Sequence, residues 1–177
     1  MRKLTLVFAF LIIAIKGYSQ ESLELPLIDG EVTYSETIET DLSKDQLYGN
    51  LKAWIASNFS KGKMTMDLDD VSNGRVIIKF KENPSFESLG MVRSSELQYF
   101  LQIDVKANKF RYILKLIDHY HKQTAQTVPE LIEIANGRKK TITNTRAYAK
   151  KQVKLIGDSA SQIIESLKKG IQFVDDF

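Results

Sequence analysis

Between Arg146 and Gln172, Ala149, Val153, Ile156, Ala160, Ile163, Leu167 and Ile171 recur every three or four residues, with Ile164 beside them. That spacing is one apolar stripe on a long amphipathic helix. At 1.5 Å per residue the helix runs roughly 40 Å, so it needs a long surface to lie on. The preceding chain supplies strands. A short extended lead, Glu21 to Asp29, contains Leu25-Pro26, and Gly30 allows a turn. Val32, Tyr34 and Ile38 then alternate with polar residues, as in a half-buried first strand. Ser43-Lys44-Asp45-Gln46 has the form of a capping box, in which Ser43 caps and Gln46 reaches back. The helix it opens carries Leu47, Leu51, Trp54, Ile55 and Phe59 on one face, with Gly62 as its expected stop.

Four more strands follow. Met64, Met66 and Leu68 alternate, then Val76, Ile78 and Phe80, with Asn73-Gly74 between them. A plain two-residue turn there sets apolar positions opposite polar ones. Pairing Leu68 with Val76, Met66 with Ile78 and Met64 with Phe80 repairs this, so an odd-length loop or a bulge is expected. Residues 82–93, with Pro84 and Gly90, read as a longer loop. Leu97, Tyr99, Leu101, Ile103 and Val105 share one face of the next strand, and Phe110, Tyr112, Leu114 and Leu116 one face of its return. A turn at Ala107-Asn108 pairs Val105 with Phe110, Ile103 with Tyr112 and Leu101 with Leu114. The same register sets Asp104 opposite Arg111 on the other face, a favourable pair. In residues 122–145, Thr127-Val128-Pro129-Glu130 begins either a short helix or a loop, and Asn136-Gly137 marks a turn. The pattern predicts an α+β domain: a five-stranded antiparallel sheet with two helices on one face, in the order β-α-β-β-β-β-α.

Composition changes this picture at the N-terminus. Arg2 and Lys3 precede an apolar run from Leu4 to Ile15, followed by Gly17 and Ser19. This is the layout of a secretory signal peptide, residues 1–19, with cleavage expected near Ser19-Gln20. The run is too short for a bilayer span, which needs about 20 residues. The expected product is an exported, periplasmic or extracellular, single domain over residues 20–177. The whole chain has 25 basic and 22 acidic residues, but residues 1–19 hold three of the basic ones and none of the acidic. The rest is formally neutral, so no nucleic-acid partner is expected. With no cysteine, disulfides, thiolate metal sites and a lipid-anchoring cysteine are excluded. The fold must be held by its core.

Leu25-Pro26 and Asp29-Gly30 ahead of Val32 and Tyr34 carry a family resemblance. Leu47-Tyr48 and Trp54, the Asp69–Gly74 turn, and Tyr99 through Tyr112 extend it. These stretches resemble domain-of-unknown-function family 4468, secreted Bacteroidota proteins described as having a TATA-binding-protein-like (TBP-like) fold. The resemblance covers most of the chain after the signal segment and matches least over Thr124–Thr145. It implies the TBP-like fold and brings no activity or catalytic residues. DNA binding does not follow from the fold label, because function lives in sites.

Several groups of residues are candidates for chemistry. His119 and His121 stand two apart on a strand, so both face one way and suit one metal. No acidic residue of matching parity lies near to complete the site, and two solvated imidazoles explain the pair as well. Asp67, Asp69, Asp70 and Asn73 loosely resemble a calcium loop, but the spacing fails and no twelfth-position glutamate follows. Arg138, Lys139, Lys140, Arg146, Lys150, Lys151 and Lys154 form a basic run suited to a phosphate-rich surface; a loop plus a solvated helix face is the simpler reading. Ile77, Phe100, Ile113 and Ile117 fall on the sheet face opposite the main stripe. With His119 and His121 they form a candidate partner surface, against the alternative of scattered exposed apolar residues. No catalytic signature is present: no G-x-S-x-G, phosphate loop, H-E-x-x-H or dinucleotide glycine pattern. The sequence therefore favours a non-enzymatic module, with no cofactor, that binds a protein or glycan partner through its open sheet face. The runner-up is a small-ligand carrier in which the last helix closes a helix-grip-like cavity. An enzyme built on His119 or His121 with carboxylates ranks third.

Overall fold

The computed structural model describes residues 23–59, 63–88, 90–120, 126–141 and 145–173. The expected signal segment, the helix stop at Gly62 and His121 lie outside these residues. Eight strands and three helices are described. They are β1 (Leu27–Ile28), β2 (Glu31–Glu39), α1 (Lys44–Asn58), β3 (Met64–Asp70), β4 (Arg75–Glu82), β5 (Ser85–Ser88), β6 (Met91–Ser94), β7 (Glu96–Lys106), β8 (Lys109–Tyr120), α2 (Val128–Ala135) and α3 (Arg146–Ile171). Six strands form one antiparallel sheet in the order β1-β2-β8-β7-β4-β3, and β5 pairs only with β6.

The expected five strands and two helices are all present, but the count is corrected upward in three places. β1 adds two residues at the edge, joined to β2 through Asp29-Gly30. Both turn residues have positive φ, 53° and 82°, the backbone of a tight hairpin turn. Two residues are too few to show alternation. Residues 82–93 are not a plain loop, since they contain the β5–β6 ribbon. That ribbon leaves the sheet and docks on α3, through Phe86 against Tyr148 at 5.7 Å between ring centres and Lys151 Nζ on the Glu87 carbonyl at 2.7 Å. Its side chains follow no single buried face. The short-helix reading holds for α2, opened by a capping box between Thr127 and Glu130.

The strands bury one face. Val76, Ile78, Phe80, Leu97, Tyr99, Leu101, Ile103, Val105, Phe110, Tyr112 and Leu114 meet Leu47, Leu51, Trp54 and Ile55 of α1 and Ile156, Ala160, Leu167 and Ile171 of α3 in one core. α1 opens on the expected capping box, with Ser43 and Gln46 bonded in both directions. A second cluster joins Leu131, Ile134 and Ala135 of α2 to Ala149 and Val153 of α3. The lead threads beside it, where the Asn136 side-chain amide donates to the Leu23 carbonyl and accepts from its N–H, both at 3.1 Å. The layers are locked by specific contacts. Trp54 Nε1 donates to Ser166 Oγ at 3.0 Å. Gly74, at φ 68°, accepts from Val105 N–H at 2.7 Å, at a distance that leaves no room for a side chain.

Two bulges control which side chains reach the other face. The β7–β8 register is the expected one from Val105↔Phe110 to Tyr99↔Leu116, then shifts so that Gln98 pairs with Asp118 and Leu97 with His119. Ile117 is the extra residue. In β3 the expected pairs Met64↔Phe80 and Met66↔Ile78 are present, and the expected bulge falls at Asp67. The expected Leu68–Val76 pair is corrected: Leu68 pairs with Ile77, because the bulge sits before Leu68 rather than after it.

Candidate functional site on the open sheet face

Every described helix and the β5–β6 ribbon lie on one side, so the other face of the sheet is uncovered among the described residues. Its side chains form rows across the strands. At the β7–β8 turn stand Glu39, Lys109 and Lys106, and the row behind them runs Thr37, Arg111, Asp104, Arg75, Asp70. Asp104 accepts from Arg75 Nε at 2.5 Å, Arg111 Nη2 at 2.7 Å and Gln102 Nε2 at 3.0 Å. Burial alone would raise its pKa, but these three donors together hold the carboxyl below its ordinary value. The next row is mostly apolar: Ser35, Ile113, Gln102, Ile77, Leu68. Beside it stand Lys115, Phe100, Lys79 and Thr65. Ion pairs frame the apolar side chains. Lys79 meets Asp67 at 2.7 Å, Lys81 meets Glu96 at 2.7 Å and Lys115 meets Glu31 at 3.4 Å. Such exposed pairs contribute under about 1 kcal/mol each, so their main effect here is to fix the pattern of charge.

Ile77, Phe100 and Ile113 stand where the alternation put them, adjacent and half-buried. Ile117 is 40% exposed at its bulge. Leu68, 38% exposed, joins them and was missed, because alternation without the bulge points it into the core. His119 is corrected. The extra residue at Ile117 reverses the alternation beyond it, sending Asp118 to the open side and His119 to the helix side, opposite Leu97. There its Nε2 lies 3.3 Å from Gln152 Oε1, which also accepts from the buried Ser95 hydroxyl at 3.0 Å. Gln152 Nε2 in turn donates to the Tyr148 hydroxyl at 3.1 Å. Burial pushes the His119 pKa down against the opposing pull of Gln152 and Asp118. Ser95, Gln152 and Tyr148 carried no sequence signal, since each comes from a different stretch or reads as a polar position.

The acidic cluster is dispersed. Asp67 pairs with Lys79, Asp69 binds Tyr48 and Lys52 of α1, and Asp70 braces the turn through Ser72 and Asn73. No three His, Asp, Glu or Cys side chains converge on a metal position among the described residues. The basic run is also taken apart by its contacts. Arg138 pairs with Glu133, Lys139 with Glu130 and Lys154 with Asp158, while Arg146 Nε donates to the Ala135 carbonyl and Lys151 holds the ribbon. Beneath α3, Tyr99, Leu101, Ile156 and Ala160 are fully buried and fill the space that a helix-grip cavity would need.

The profile of the domain of unknown function (DUF4468) with TBP-like fold matches residues 34–120, from β2 to the end of β8. The chain is similar to the DUF4468 family over 87 of its 177 residues. β3 to β8, α1 and most of β2 lie within that match, while β1 precedes it and α2 and α3 follow it. Among solved structures, the chain is similar to a DUF4468 family protein from Bacteroides ovatus. The TM-score is 0.65 at 17% identity, covering 86% of this chain and 93% of that one. It is also similar to a TBP-like protein from Parabacteroides distasonis, with a TM-score of 0.59 at 12% identity, covering 82% and 97%. Identities this low speak for the fold alone. No protein of curated function matches the chain.

Proposed function

We propose that this DUF4468-like domain is an exported, non-enzymatic binding module that docks a protein partner on its open sheet face. The reading is carried by one observation: Leu68, Ile77, Phe100, Ile113 and Ile117 stand together on an uncovered face inside a frame of ion pairs. An apolar centre with a charged rim is the anatomy of a protein interface. The centre is small, which suits a partner of matching charge pattern rather than a lipid surface. Away from the β7–β8 end, cations and carboxylates alternate on this face, so an extended polyanion such as nucleic acid meets repulsion along with attraction. Export follows from the Arg2-Lys3 start and the Leu4–Ile15 run. The carrier reading draws no support from the filled space beneath α3.

A photo-cross-linker at Gln102, in the middle of the face, tests the proposal against one at Glu165, exposed on α3. In the native host the first is expected to yield a discrete protein adduct that Phe100→Asp abolishes, and the second none. Adducts that survive Phe100→Asp, or that form equally at Glu165, refute the docking face.

A further inference from the structure

At the β7–β8 end of the open face is a depression of about 270 Å³ whose walls include Thr37, Arg75, Asp104, Lys106, Lys109 and Arg111. Four cations face one carboxylate. Two of them, Lys106 and Lys109, are direct cross-strand partners, a like-charge juxtaposition that opposes folding of the hairpin end. Neither makes an ion pair among the described residues. Glu39, the neighbour of Lys109 on β2, leaves it unpaired although it lies opposite in the ladder. Asp104 binds one N–H of each guanidinium, Arg75 Nε and Arg111 Nη2. An arginine carries five donors in a rigid fork, so Asp104 orients both groups while leaving donors of each for a ligand.

We propose that this depression binds the dianionic head of a soluble phosphate monoester. An oxyanion there would meet two oriented guanidiniums, two ammoniums and the Thr37 hydroxyl. The lining's excess of three positive charges suits a dianion better than a monocarboxylate. The volume falls just below the range of drug-sized sites and suits a phosphate with a short alcohol. A phosphatidic headgroup carries the same chemistry, but the rim at Lys106–Lys109 is polar and offers no large exposed apolar side chain to enter a bilayer. The site is separate from protein docking on the apolar row, and Phe100→Asp leaves it intact, so each proposal can fail without the other.

Calorimetric titration of the purified chain with glycerol 3-phosphate at low salt tests it, because exposed charge is least screened there. Saturable binding is expected, at least tenfold tighter than acetate. The Lys106→Gln, Lys109→Gln double variant should weaken it at least tenfold while unfolding no lower in temperature, since removing the repulsion costs the fold nothing. Lys79→Gln with Lys115→Gln, two rows beyond the arginines, should leave binding unchanged. The proposal is overturned by absence of saturation, by acetate binding as tightly, or by equal losses in the two double variants. It is likewise overturned if the chain ignores glycerol 3-phosphate but floats with phosphatidylcholine vesicles containing phosphatidic acid.

Discussion

Three helical glycines give a test of how closely α1 and α3 approach. Replacing an exposed glycine inside a helix by alanine stabilises it by about 0.8–1.0 kcal/mol through helix preference. Gly49, exposed on α1, should show this gain, because an added Cβ meets nothing within 4 Å. Gly170, in the last turn of α3, should reverse it. A Cβ there would lie 2.4 Å from Trp54 Cδ1, 2.9 Å from Cγ and 3.1 Å from Cβ. Those atoms are the root of a ring held by the Trp54–Ser166 hydrogen bond and by Phe59, whose ring centre is 5.4 Å away. The indole cannot swing aside, so the helices must separate. Overpacking of this kind costs about 1–3 kcal/mol. Losing the indole hydrogen bond adds about 1 kcal/mol. After the helix gain is subtracted, Gly170→Ala should be destabilised by about 1–3 kcal/mol. Gly157 lies between the two, since its Cβ would touch only Leu25 Cδ2, at 3.2 Å, the tip of a side chain on the lead.

Urea unfolding of the three variants measures the order directly. The midpoint should rise for Gly49→Ala, stay near the parent for Gly157→Ala and fall for Gly170→Ala, with the urea slope unchanged. In thermal melts each kcal/mol corresponds to about 2–4 °C for a chain of this size. The reasoning is refuted if Gly170→Ala is as stable as Gly49→Ala, because the crossing would then have room that the packing denies.

Other substitutions probe other layers. Among the described residues the buried Tyr99 hydroxyl makes no hydrogen bond of ordinary geometry, although Ser159 is near enough to bear on its ionisation; Tyr99→Phe should therefore hold or raise the urea midpoint. Phe100→Asp, on the open face, should shift stability by no more than about 1 kcal/mol, whereas its buried neighbour Leu101→Asp should abolish cooperative unfolding. His119 has a folded pKa below its ordinary 6.5, so the unfolded chain takes up the proton first. Stability should be complete above that value and fall as the pH drops from it toward the folded pKa, a slope that His119→Gln removes from a pH series of urea melts. Asn136→Ala, which frees the lead at Leu23, should cost about 1–2 kcal/mol by the same urea assay.

How much of this was legible in the chain turns on what alternation can and cannot encode. Where a strand stays in register, period two assigns faces correctly, as from Val105–Phe110 to Tyr99–Leu116, and the helical stripe of α3 is buried along nearly its full length. The capping box at Ser43 was readable because it is local hydrogen-bond chemistry at fixed spacing, whereas at Thr127 the pattern left a short helix and a loop both open. The ribbon β5–β6 was not, because its partner is α3, more than fifty residues away, and its own residues bury no common face. The bulges at Asp67 and Ile117 matter most for the site. Each is one residue, yet each inverts the assignment of everything beyond it. The first turns Leu68 outward, beside Ile77, and leaves Asp69 for Tyr48 and Lys52 of α1. The second turns His119 inward to Gln152 and Ser95, away from the face where the histidine pair was expected. Apolar pattern tolerates this at Ile117 because an isoleucine serves on either side, so no hydrophobic signal marks the slip. The open face was thus readable in its centre, at Ile77, Phe100 and Ile113, and unreadable at both ends, where a single unpaired residue decides which chemistry the face displays.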